Sequence, residues 1–151
     1  MFAKIINDVV EKYPYSIGEL RKDNPNVSFP KNPSAETLAA FNTFEVVSKP
    51  QPEVDHTQDV GEGVPQKING VWTQVWNVST LNELALAERT SNQANNVRAE
   101  RDGKLANTDW TQGKDIPDAV STKWAAYRQA LRDVPAQAGF PWNVQWPSKP
   151  E

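Results

Sequence analysis

The chain has 151 residues, a formal net charge of −3, 38% hydrophobic and 23% charged residues, 12 Pro, 6 Trp, one His and no Cys. Without Cys there is no disulfide framework, thiolate nucleophile or zinc ribbon, and one His cannot supply an imidazole metal cluster or a catalytic triad. The acidic balance argues against phosphate-backbone recognition of nucleic acid, and no apolar run approaches the ~20 residues of a membrane span.

Leu, Ile, Val and Phe make up about 21% of the chain, close to the level at which a chain fails to bury enough surface to fold. Six Trp and three Tyr offset part of that deficit, because each buried aromatic removes ~150–250 Å² from water. The expectation is several small aromatic nuclei rather than one large core. The N-terminus lacks a basic region and a cleavage site, so the chain reads as soluble and unexported.

The first element is a hairpin, with β-branched runs on either side of Asn7-Asp8, residues that tolerate the positive φ of a tight turn. Ser16 and Glu19 form a capping box for a short helix ending near Asp23, before Pro25. Pro30 and Pro33 keep the next stretch extended. Ser34 then caps a second short helix from Ala35 to Phe41, and Thr43 to Val47 reads as a closing strand. Residues 1–48 form an N-terminal α+β unit. Residues 49–66, rich in Pro and acidic groups, read as a linker, with a strand inside 54–60 as the alternative. His56 lies there beside Asp55 and reads as solvated.

Residues 67–79 carry the strongest hairpin signal, Asn69-Gly70 between β-prone runs. A continuous strand from Val71 to Val78 would place Trp72, Gln74, Trp76 and Val78 on one face. Thr80 with Glu83 then offers a helix cap, and residues 80–151 form a helical module. Leu81 to about Asn107 would span ~40 Å; its apolar stripe is poor, and two blocks, Leu81–Arg89 and Val97–Ala106, are expected, joined or separate. Arg98 and Asp102, four apart, are placed to pair. In the following helix, Lys123 to Asp133, the spacing puts Trp124, Tyr127, Leu131 and Val134 on one stripe. Trp110 and Phe140 or Trp142 are its natural partners, and a short strand should end the chain. The fold class is α+β.

The order of rare residues in this last part carries a resemblance. A basic helix leads to Thr108-Asp109-Trp110, then to a helix reading W-x-x-Y-R-Q-A-L-R-D from Trp124, then to Gly139-Phe140-Pro141-Trp142-Asn143-Val144-Gln145-Trp146-Pro147. Over residues 97–150 this resembles the C-terminal module of phage tail assembly chaperones and tail fibre assembly proteins. The spacer Gln112 to Thr122 is polar here, where that family tends to carry a Leu-rich linker.

The resemblance implies a non-enzymatic protein of bacteriophage tail or tail fibre assembly, active in the host cytoplasm. Its partners would be tail or tail fibre proteins, with a homo-oligomer left open and no nucleic acid or membrane involved. No catalytic, cofactor or metal residue is assigned. The candidate partner-binding residues are Trp72, Trp76, Trp110, Trp124, Tyr127, Arg128, Leu131, Trp142 and Trp146, because Trp, Tyr and Arg concentrate binding energy at interfaces.

Trp110, Trp124 and Trp142 are expected first as the module's own core, and Arg128 and Arg132 as solvated. Trp72, Trp76 and Trp146 are the better candidates for intermolecular contact. Two other classes stand beside the chaperone: a tail, baseplate or fibre-attachment subunit retained in the virion, and a glycan-binding module built on Trp72/Trp76 or Trp142/Trp146 spaced ~13 Å apart in extended chain.

Overall fold

A computed structural model describes residues 1–150, which divide into two compact units, Met1–Thr80 and the chain from Leu81 onward. The observed elements, strands and hairpins first and helices after, are those of an α+β protein. No helix among the described residues is long and apolar enough to cross a membrane.

The first unit begins with the expected hairpin. Strands β1 (Phe2–Ile6) and β2 (Val9–Tyr15) pair antiparallel with Ile6 opposite Val9. The two turn residues, Asn7 and Asp8, both take positive φ, 52° and 60°, as a type I′ turn requires. Helix α1 (Ile17–Asp23) starts on the capping box: Glu19 N–H donates to Ser16 Oγ, and Ser16 N–H donates to the Glu19 carboxylate at 2.8 Å. Lys12 Nζ lies 2.6 Å from the same carboxylate. Its hydrogen bond, followed by those from Ser16, lowers the Glu19 pKa to about 2.

Helix α2 (Ala35–Ala40) is capped by Ser34, and β3 (Thr43–Glu45) returns along β1, giving the order β2-β1-β3. Two small nuclei form around this sheet. Ala3, Ile5, Val46 and Trp72 make one, and Tyr15, Leu20 and Leu38 the other, with Phe2, Ile17, Phe29 and Phe41 packed against the second. Two nuclei of three or four buried side chains are what a chain short of aliphatics can assemble.

The stretch read as an acidic linker contains strand β4 (Gln58–Glu62), which pairs with β7 (Trp76–Thr80). Strands β5 (Gln66–Ile68) and β6 (Val71–Thr73) flank Asn69 and Gly70, whose φ values are 50° and 81°. The continuous strand expected from Val71 to Val78 is therefore interrupted at Gln74-Val75. Glu62 opposes Trp76 and Gln66 opposes Thr73, so three residues, 63–65, face only Gln74 and Val75. One extra residue on one side of an antiparallel pair is a β-bulge, and it accommodates Pro65, which has no N–H for a ladder.

A polar network closes around the bulge. The Gln74 side chain accepts from Lys49 N–H at 3.0 Å and donates to Glu62 Oε1 at 2.5 Å, and Tyr13 OH donates to the same oxygen. Burial and the Glu62 carboxylate push the Tyr13 phenol up to about 12.

In the second unit, α3 (Glu83–Ala106) is one continuous helix of 24 residues, begun by Asn82 rather than Thr80; the Asn82 side chain accepts from Ala85 N–H. Only Ala94 and Val97 along it are buried, in keeping with its poor stripe. The Arg98–Asp102 pair does not form. Arg98 instead stacks over the Phe140 ring at 5.4 Å, and Asp102 pairs with Arg101 at 2.7 Å. A 3-10 turn (Asp109–Gln112), helix α4 (Asp118–Arg132) and a second 3-10 turn (Val134–Ala136) follow. Leu131 and Val134 are fully buried. Residues 143–150 contain no strand, contrary to the expected terminal one.

Candidate partner interface

The last carbonyls of any α-helix lack intrahelical partners. At the end of α3 that shortage is met from outside the helix. Thr108 Oγ1 donates to Leu105 O at 2.8 Å, and Arg128 of α4 donates through Nη1 to Leu105 O and to Thr108 Oγ1, both at 2.7 Å. Arg128 Nη2 reaches Asp109 Oδ1 at 2.8 Å. A cation at a helix C-terminus also faces the negative end of the helix dipole. Thr111, fully buried, donates to Thr108 O at 2.6 Å and locks the 3-10 turn.

Arg128, expected as a solvated side chain, is thus 9% exposed and joins α3, the turn and α4. The reason lies in spacing. It sits four residues after Trp124 and three before Leu131, on the stripe that α4 buries, and its buried charge is tolerated because Leu105 O, Thr108 Oγ1 and Asp109 Oδ1 accept from it.

The turn held by this clamp projects Trp110, which is 58% exposed rather than part of the core. Its ring meets Trp124 edge-on at 5.7 Å, and Trp124 meets Tyr127 at 5.8 Å. Trp124 is buried and Tyr127 half-buried. The result is an aromatic row with Trp124 buried at its centre, half-buried Tyr127 on one side and exposed Trp110 on the other. Rings in such edge-to-face contact gain ~0.5–1.5 kcal/mol per pair beyond burial, so the exposed indole is supported from behind.

The terminal segment is held by side chains. Gln137 and Gln145 exchange two hydrogen bonds at 2.8 Å, the Gln137 amide acting as a strand would toward the Gln145 backbone. Lys104 Nζ lies 4.9 Å above the Trp146 ring and Lys149 Nζ 5.5 Å above that of Trp124. At Gly139 a Cβ would lie 2.3 Å from Asn143 O, so the turn from Gly139 to Asn143 admits no side chain there. Trp142 is 36% exposed and Trp146 half-buried. Trp142 lies in a turn, so Trp142 and Trp146 do not form the extended platform considered for sugar rings.

In the first unit, Trp72 is 8% exposed, in the core with Ala3, Ile5 and Val46. That burial removes it as a surface contact and removes the Trp72/Trp76 platform with it. Trp76 is half-buried, and its indole N–H donates to Lys49 O at 3.0 Å. Of the nine candidates, Trp110, Trp124, Tyr127, Arg128 and Leu131 are brought together around the second unit's clamp, with Trp110 outermost. Thr108 and Asp109, which receive Arg128, were read from the sequence as part of the Thr-Asp-Trp motif but not as site residues. Near His56, hydrogen bonds from Thr57 hold the Asp55 carboxyl below its usual range, with His56 adding to the effect. Among the described residues no group of three His, Asp or Glu is placed to hold a metal.

The second unit is thus a helical hairpin joined by the Arg128 clamp, with Trp110 exposed on its turn. Residues 94–151 match the family model described as phage tail assembly chaperone protein. The matched stretch includes the second half of α3, the clamp, α4 and the terminal segment, and it supports a role in phage tail assembly. No curated protein and no solved structure matches the chain.

Proposed function

We propose that the protein is a bacteriophage tail assembly chaperone that holds an unassembled tail or tail fibre protein through non-covalent contacts, with Trp110 as the anchor. The observation that carries this reading is the exposed Trp110 on a turn fixed by Arg128, within the stretch similar to tail assembly chaperones. An aromatic side chain on a preorganised support loses little entropy on binding, so more of its contact energy appears as affinity. Trp124 and Tyr127 support it from within the row, Leu131 anchors α4, and Trp142 and Trp146 border the same unit. No bond is made or broken. The protein acts in the host cell while tails are being built.

Co-expression with the tail and tail fibre subunits of the same phage tests this. Higher soluble yield of one subunit with the wild-type chain, lost with Trp110→Ala, is the expected result; equal yields with and without the chain would overturn it. Mass spectrometry of purified virions separates the chaperone from the alternative of a retained tail component. A chaperone is absent from the mature particle, and a structural subunit is present in stoichiometric amount.

A further inference from the structure

A segment that forms neither helix nor strand is held only by what its side chains and a few isolated bonds reach, and it opens at lower cost than the elements around it. Residues 144–150 are such a segment. Asn143 N–H donates to Gly139 O, and among the described residues no backbone-to-backbone bond involves residues 144–150. Val144, Trp146, Pro147 and Pro150 are nonetheless half-buried, so the segment lies against the second unit.

We propose that residues 144–150 are a detachable strap on a peptide seat, and that an extended segment of the tail protein being held, with an aromatic residue and a Lys or Arg three positions later, takes the seat in its place. The proposal rests on the reading of the aromatic row as the partner site and names the partner's chemistry. Three contacts define the seat. The first is the Gln137 carboxamide, whose Nε2 donates to Gln145 O and whose Oε1 accepts from Gln145 N–H, both at 2.8 Å. Both partners are main-chain groups, so this contact takes any residue that has an N–H. One position on, Lys104 Nζ lies 4.9 Å above the Trp146 ring, which selects an aromatic residue. Three positions after that, Lys149 Nζ lies 5.5 Å above the Trp124 ring, which selects a cation. Trp124 is the central ring of the row that runs to Trp110 and Tyr127. Main-chain bonds supplying affinity and side-chain contacts supplying specificity is the division found in other recognition of extended peptides.

The strap is made both to hold that seat and to leave it. Trp146 and Lys149 each precede a proline, which keeps them extended. The two bonds to Gln137 are exposed, as are Gln145 and Lys149, and exposed cation–π contacts are individually weak. A partner segment with the same pattern competes for the same three contacts. While the strap is seated, the partner's apparent affinity is reduced in proportion to the fraction of chains whose seat is open.

A fluorescent peptide with the sequence of residues 144–150, titrated into the full chain, tests this without any tail subunit, so its outcome is separate from that of the chaperone reading. Gln145→Pro removes the N–H given to Gln137 and Lys149→Ala removes the cation; the double variant loosens its own strap and keeps Gln137, Lys104 and Trp124. Its affinity for the peptide is expected to exceed that of wild type by about tenfold or more. The gain should vanish when Gln137→Ala is added, or when Ala replaces the Lys of the peptide. Equal affinity of wild type and double variant, no binding to the double variant, or binding indifferent to Gln137 and to the peptide Lys would each overturn the proposal. In the wild-type chain the Gln145 amide is expected to exchange ~100-fold faster than the Leu131 amide of α4; equal rates would mean that strap and helix open only together, and would also overturn it. Sedimentation of wild type at twice the 16.9 kDa of one chain, lost in the double variant, would place the strap on a second copy instead.

Discussion

Arg128 Nη1 donates to the Leu105 carbonyl at 2.7 Å, so the C-terminus of α3 is closed by a side chain 23 residues further along. Helix end, turn and second helix share one guanidinium. Arg128→Met removes the donor for Leu105 O and Thr108 Oγ1 while keeping most of the side-chain volume. Charge-assisted hydrogen bonds contribute ~1.5–3 kcal/mol each, and the expected loss of stability is about 2–4 kcal/mol by urea unfolding. Asp109→Asn should cost only ~0–1 kcal/mol, because the Asp109 side chain is 67% exposed and its ion pair is screened. Equal effects of the two variants would show that the Asp109 arm, rather than the helix-end bonds, holds the clamp.

Trp72 and Trp110 reverse the roles assigned from sequence, and paired substitutions separate them. Trp72→Ala empties a buried site and should destabilise the protein by ~3–5 kcal/mol. Trp110→Ala should change stability by about 1 kcal/mol, the size of one edge-to-face pair. Its effect on binding a tail subunit should be larger, about 2 kcal/mol or more, as for interface anchors elsewhere. Thermal unfolding and a binding titration on the same two variants check both halves.

Gly139→Ala places a methyl group against Asn143 O, where a Cβ would stand at 2.3 Å. The backbone from Gly139 to Asn143 must move, opening the 2.6 Å bond from Asn143 N–H to Gly139 O. Forced overpacking of this kind costs ~1–3 kcal/mol. The expected result is a lower melting temperature with faster amide exchange at Asn143. Unchanged exchange there would mean the turn accepts a side chain.

Glu19 titrates with a sign set by its partners. Its pKa is lowered from 4.5 to about 2, first by Lys12 and then by Ser16. A depressed carboxyl stabilises the fold fully above its unfolded value and loses that contribution as pH falls through its folded value. The contribution should fade between about pH 4.5 and about pH 2. Glu19→Gln keeps a capping-box side chain but removes the charge, so its melting temperature should fall less steeply than wild type across that window. Parallel curves for the two proteins would exclude Glu19 as a source of the acid response.

Local chemistry was legible wherever a few adjacent residues decide the outcome. The turns at Asn7-Asp8 and Asn69-Gly70, the Ser16 and Ser34 caps and the buried stripe of α4 follow from residue type and spacing. The interruption between β6 and β7 was not legible, because it comes from a bulge containing Pro65, nine residues before Gln74. The cap of α3 moved from Thr80 to Asn82 because Thr80 belongs to β7. Tertiary pairing there overrides a local signal.

The sequence by itself determined the α+β order of elements and the division of aromatics into small nuclei. Its ordered run of Thr108-Asp109-Trp110, the α4 motif and the Gly139 to Pro147 motif also marked the tail assembly chaperone pattern. Only the tertiary structure decided which tryptophans face water. Burial depends on what another part of the chain brings to a side chain: β1 and Val46 enclose Trp72, while the acceptors at the end of α3 draw Arg128 inward and leave Trp110 outside.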